Sequence, residues 1–243
     1  MKSILKKEII QFFSSPIGVI SMGIFYLLSG LFLWVIQGDY NITEHRFADL
    51  LPFFELAPWI LIFVMSAISM KSFSEEYKTG TIETLLTKPI SVKEVIAAKF
   101  LAVWIIGIIM LIPSFVYVWT IAHWTQQGQS IEWGIIFGSY LGLIFLIGVF
   151  SAIGIFSSLL FTSQVNAFLT ALFLMFLLYY GLEGIGNFNL FGSLDYWIQK
   201  ASLKFHYNNF IKGLIKLSDI FYFLSIIVIF ISSANYVIHQ KQK

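Results

Sequence analysis

Cysteine is absent from the 243 residues, and charge is scarce: 15 Lys and Arg with 13 Asp and Glu, 12% of the chain. With no thiol there is no disulfide framework, no thiolate metal site and no cysteine nucleophile. With so little charge the chain cannot cover a water-soluble fold of this size, since ordinary soluble domains carry about 25% charged residues. The charges are also clustered. No Asp, Glu, Lys or Arg occurs from Trp133 to Leu182. As a single helix that stretch would be about 75 Å long, more than twice the roughly 30 Å hydrocarbon core of a bilayer, so it must fold back. A net charge of +2 gives no reason to expect a nucleic-acid partner. What is abundant is apolar: 58% of residues, 26 of them Phe. The composition specifies an all-α, polytopic membrane protein.

Catalytic patterns are missing as well. No G-x-x-x-x-G-K-[ST] is present, so the chain has no P-loop for ATP, and no H-E-x-x-H occurs. The four histidines, His45, His123, His206 and His239, are scattered at span ends or in loops, which argues against a metal site. Acidic residues sit at span margins (Glu55, Glu132, Glu183, Asp219) rather than at midplane, where ion-coupled carriers place theirs. If this chain drives transport, its energy comes from another subunit.

Six apolar segments each approach the ~20 residues needed to span: Gly18–Ile36, Phe53–Met70, Val95–Ile121, Trp133–Phe156, Val165–Leu182 and Ile220–Ile238. The first follows a charged N-terminus, has no small-residue cleavage site and reads as a retained span. The polar patch from Ser157 to Asn166 is where the uncharged stretch turns round. Lysines 2, 6 and 7, those at 71, 78, 88, 93 and 99, and those at 241 and 243 all fall on one side, the cytoplasmic one by the positive-inside bias, with both termini. Glu183–Asp219 lies on the other side in this arrangement and yet carries Lys200, Lys204, Lys212 and Lys216.

Lys2–Phe13 has the periodicity of an amphipathic helix, with Leu5, Ile9, Phe12 and Phe13 on one face and Ser3, Lys7, Glu8 and Gln11 opposite. Pro16 ends it. Between the second and third spans, Lys71 to Glu94 holds both charge signs, a Gly80 break, a short apolar face (Ile82, Leu85, Leu86), Pro89, and a Ser91-x-x-Glu94 capping box. That order predicts a short helix along the cytoplasmic surface. Gly134, Gly138 and Gly142 repeat at the G-x-x-x-G spacing that lets helices approach closely. Pro113 is expected to kink the third span.

The stretch from Phe73 to Lys99 resembles ABC-2 type transporter permeases. The family pattern there is an aromatic, two acidic residues, a basic stretch, Gly-Thr, an acidic residue, leucines, Pro, a hydroxyl residue and Gly-Lys or Ala-Lys. It is matched by Phe73, Glu75, Glu76, Lys78, Gly80, Thr81, Glu83, Leu85, Leu86, Pro89, Ser91 and Ala98-Lys99, with Tyr77 where Arg is common. The N-terminal run from Lys6 to Gly18 and the run from Leu203 to Gly213 resemble the family too, so the likeness covers the chain. Its size and Phe-rich spans are most similar to the family's gliding-motility permeases.

The resemblance implies one transmembrane domain over residues 1–243 in a bacterial inner membrane. Residues 1–15 would be a connecting helix, 72–90 a coupling-helix loop and 184–217 an extracellular re-entrant segment. It implies two copies of a cytoplasmic ATPase carrying ATP and magnesium, a second permease subunit, and no cofactor on this chain. The coupling residues would be Glu75, Glu76, Gly80, Thr81, Glu83, Leu85 and Leu86. A membrane scaffold that recruits the same partner without transporting is the competing reading.

Overall fold

The structure is a computed structural model that describes residues 1–44, 49–81, 91–124, 132–188 and 192–241. Among them every regular element is helical. Six helical stretches are long and apolar enough to cross a bilayer: Pro16–Trp34, Leu51–Thr79, Val92–Trp124, Trp133–Leu160, Gln164–Asn187 and Leu217–Lys241. The protein is a multi-pass membrane protein, and every span after the first runs longer than hydropathy alone indicates.

Helix α1 (Lys2–Phe13) meets α2 (Pro16–Trp34) at a tight elbow. Ser15 makes it: its Oγ donates to the Phe12 carbonyl at 2.9 Å and accepts from the Gly18 amide at 3.1 Å, and Pro16 takes the first helical position. Gly18 is required there, because a Cβ would stand 2.1 Å from the Phe12 carbonyl oxygen. The inward face of α1 differs from the expected one. Phe12 is buried and Ile4 and Ile9 pack on the core, but Phe13 is exposed and Glu8 points inward.

The second span corrects the reading of residues 71–79 as loop. Helix α3 (Leu51–Ser69) passes through Met70, whose backbone stays helical, into α4 (Lys71–Thr79). Together they make a rod of 29 residues, about 44 Å long, which outreaches a 30 Å hydrocarbon core. The charged turns of α4 therefore project from the apolar slab, and hydropathy ends where the helix does not. The rod stops at Gly80, whose φ of 70° and ψ of 5° close it in the left-handed conformation. Residues 82–90, with Glu83, Leu85, Leu86 and Pro89, lie outside the described residues.

Helix α5 (Val92–Leu111) opens with the capping box its sequence specifies. Ser91 Oγ accepts from the Glu94 amide at 3.3 Å, and Glu94 Oε2 accepts from the Ser91 amide at 3.2 Å. Ser91→Ala is expected to cost about 1 kcal/mol, read as a fall of about 2–4 °C in the thermal midpoint of the purified protein. At Pro113 the helix tightens into a 3₁₀ turn, Ile112–Ser114, and continues as α6 (Phe115–Trp124). The carbonyls around this turn find donors: Tyr26 Oη donates to Met110 at 2.8 Å and Ser114 Oγ to Leu111 at 2.6 Å.

Helix α7 (Trp133–Leu160) is the central pillar and the most buried of the spans, packed against α3, α4, α5 and the later helices. The turn after it is shorter than the polar patch implies. Ser157 and Ser158 belong to α7 and are buried, and only Phe161–Ser163 separate it from α8 (Gln164–Phe176). Helix α8 widens into a π turn, Leu177–Gly181, and runs on as α9 (Leu182–Asn187).

Two short helices, α10 (Ser193–Lys200) and α11 (Leu203–Ile211), then pack over that end of the bundle before α12 (Leu217–Lys241) returns. Ser202 ties this cap to the π turn, donating from Oγ to the Tyr179 carbonyl at 3.1 Å and capping α11 at the Lys204 amide. His206 ties it to α12. Its Nδ1 meets Asp219 Oδ1 at 2.7 Å, its Nε2 donates to the Lys200 carbonyl at 2.9 Å, and Asn209 donates to Asp219 Oδ2. Deeper in, Tyr207 Oη donates to the Phe54 carbonyl at 2.8 Å. Burial pushes this phenol well above its ordinary pKa, so it remains a donor.

Candidate functional site

At the end of the bundle that holds the N-terminus, α1, α4 and α5 converge on one buried cation. The Lys99 side chain is 1% exposed. All three of its ammonium protons are used. Nζ donates to Glu8 Oε1 at 2.7 Å, to Glu76 Oε1 at 2.9 Å and to the Ser72 carbonyl at 2.6 Å, and it stands 5.0 Å from the centre of the Phe73 ring. Glu8 belongs to α1 and Ser72, Phe73 and Glu76 to α4, so the lysine is the shared fastening of α1, α4 and α5.

The local folding explains the geometry. Lys99 follows Ala98 on the inward stripe of α5 that also holds Val95, Ile96 and Ala102, all buried. Its neighbours therefore carry it into the core whatever its charge. The continuation of α3 into α4 sets Ser72, Phe73 and Glu76 along one side of the rod, one turn apart. On α1, Ile4, Glu8 and Phe12 share a stripe at four-residue spacing, which brings the carboxylate in with the apolar face.

Two carboxylates around one ammonium leave the junction one charge negative. Glu76 Oε2 is buried with no hydrogen-bond partner among the described residues. A cleft of about 410 Å³ opens beside it, rimmed by Lys7, Gln11, Lys71, Glu75 and Thr81, so basic side chains of the rim offset the excess. Nearby, Lys241 Nζ donates to the Leu159 carbonyl at 2.6 Å and lies 4.3 Å from the Tyr77 ring centre. That cation sits at the C-terminus of α7, where carbonyls lack helical partners and the dipole favours positive charge.

Of the residues singled out from sequence, Glu75, Glu76 and Thr81 line this cleft, and Gly80 closes the helix above it. Thr81 pairs with Thr79 through their hydroxyls at 2.9 Å. Glu83, Leu85 and Leu86 fall outside the described residues. The glycines divide. A Cβ on Gly142 would stand 2.7 Å from Phe210 Cβ, and one on Gly138 3.1 Å from the Phe210 carbonyl oxygen, so both seat α11 against α7 within the chain. No described atom lies within 4 Å of a Cβ on Gly134.

Sequence reasoning placed Glu8 on the polar face of α1. The signal that could have corrected it is its position four residues from both Ile4 and Phe12. The partnership with Lys99 spans 91 residues and has no local signature.

No curated protein matches the chain. The family described as ABC-2 family transporter protein matches it over residues 2–242, from the first residue of α1 to just past the end of α12. The match takes in all six spans and the Lys99 junction, and the chain belongs to the ABC-2 family of transporter proteins.

Proposed function

We propose that this permease subunit of an ABC transporter couples an ATPase to its spans through the Lys99 junction. The observation that carries the reading is that one buried ammonium joins the N-terminal helix, the projecting end of the second span and the start of the third. A push on residues 72–90 reaches α3 through an unbroken rod, and reaches α1 and α5 through ion pairs. Apolar contact alone would let such helices slide. Charge-assisted hydrogen bonds at 2.6–2.9 Å fix their relative positions.

In this reading the junction faces the cytoplasm, in line with the lysine bias of the loops. Two copies of the ATPase bind ATP and magnesium, and this chain supplies no nucleotide site. A second permease subunit completes the pathway. Closure of the ATPase pair moves Glu75, Glu76, Gly80, Thr81, Glu83, Leu85 and Leu86 together and shifts the spans to export cargo across an inner membrane. The resemblance of its size, Phe-rich spans and N-terminal run to gliding-motility permeases is the ground for proposing a complex that serves gliding motility.

The test is assembly with the partner ATPase. Glu83→Lys and Leu85→Asp are expected to abolish its recovery in pull-downs while membrane insertion is unchanged. Normal recovery by both variants would remove residues 72–90 from the contact. An ATPase rate in the reconstituted complex that is indifferent to Glu76→Gln would favour a scaffold over a coupled permease.

A further inference from the structure

At the opposite end of the bundle the π turn, α3 and α11 enclose a second cavity, of about 530 Å³. The geometry points to a binding site for a neutral, hydroxyl-rich ring compound, a saccharide. One wall is aromatic. Trp59 and Tyr180 pack with ring centres 4.4 Å apart and planes 32° apart, and Tyr40 lines the same cavity. The π turn brings two of its residues, the buried Tyr179 and its neighbour Tyr180, to this cavity. Single π turns inside α-helices are often found at functional sites.

Leu51 and Ile211 add apolar surface, and the charged groups of the lining balance once the partner of Lys204 outside it is included. Glu55 and Lys212 stand at the cavity, and Lys204 stands there paired to Glu183 at 2.8 Å. Two carboxylates and two ammonium groups sum to zero. A cationic ligand drawn to Glu55 meets the lysines, and an anionic ligand drawn to the lysines meets the carboxylates. A neutral polyol uses both, since its hydroxyls donate to Glu55 and accept from Lys204, Lys212 and Asn208. The electron-rich faces of Trp59 and Tyr180 attract the weakly positive C–H face of a pyranose. The cavity lies within the usual 300–1,000 Å³ range of ligand sites, and its walls are built in advance by the Ser202 and Tyr207 hydrogen bonds.

This inference deepens the permease reading by naming a class of molecule that the far end of the bundle can hold, but its test does not depend on the ATPase. The full chain in lipid nanodiscs is titrated with cellotetraose, choline and galacturonate, with binding read by saturation-transfer NMR. Cellotetraose is expected to bind, and choline and galacturonate are not. Trp59→Ala and Tyr180→Ala are each expected to weaken binding about tenfold, the order of one lost aromatic contact.

Glu55→Gln, at an exposed position, is expected to weaken binding too. Trp59→Phe keeps an aromatic face and should restore most of the affinity, which separates stacking from loss of fold. Absence of any cellotetraose signal, choline binding as well as the sugar, or affinity unchanged in Trp59→Ala would each overturn the assignment. Loss of sugar binding with the ATPase still recovered in pull-downs, or the reverse, tells the two proposals apart.

Discussion

Replacing Lys99 with methionine is expected to destabilise the protein by about 3–5 kcal/mol, the usual cost of removing one partner from a buried ion pair. The size follows from what is left behind. The side chains of Glu8 and Glu76 are only 18% and 13% exposed, and without the ammonium they face each other as like charges with little water between them. The Ser72 carbonyl loses its donor as well.

If uncompensated charge is the cause, the triple variant Lys99→Met, Glu8→Gln, Glu76→Gln recovers much of the loss, because neutral amides can bond to one another and carry no charge penalty. Thermal unfolding of the detergent-solubilised protein measures both. A loss below about 1 kcal/mol for the single variant, the value of a surface pair, would mean that the junction is open to water.

The second large effect is steric. A Cβ at Gly154 would stand 2.0 Å from Ser69 Oγ and 2.4 Å from Ser69 Cβ, so α7 and α3 touch there with no room for a methyl group. Ser69 cannot simply turn away, because its hydroxyl is committed to the Met65 carbonyl at 2.7 Å. Gly154→Ala is expected to cost about 1–3 kcal/mol and Gly154→Val more than about 3 kcal/mol, as the two central spans are forced apart. Gly134→Ala should be neutral or stabilising by up to about 1 kcal/mol, because alanine is the better helix former and nothing described opposes it. The ordering is the test: equal losses at Gly134 and Gly154 would mean that propensity, not packing, sets the response.

What could be read in advance was whatever depends on near neighbours in the chain. The six spans follow from hydropathy, and the Ser91–Glu94 cap and the break at Pro113 follow from residues within a few positions of one another. The junction follows from none of these. Lys71, Glu75 and Glu76 read as a loop because hydropathy falls at Met70, yet the helix continues, since Lys99 supplies from another span the charge that Glu76 needs. The π turn was equally hidden, because it depends on a carbonyl bond from Ser202, 23 residues further on. The glycine repeat was legible as a pattern but not in its target, which at Gly138 and Gly142 is the short helix α11 and not another span.

Glu76 reaches, through Lys99, the first dozen residues of the chain, and its neighbour Tyr77 lies under Lys241 at the other extremity. Helices α1 and α12 are thus buckled to adjacent positions of α4, and the fold closes on itself like a belt. Any force that displaces that buckle tugs both helices at the same moment, so a pair of reporter dyes placed on α1 and α12 would register the displacement as one event.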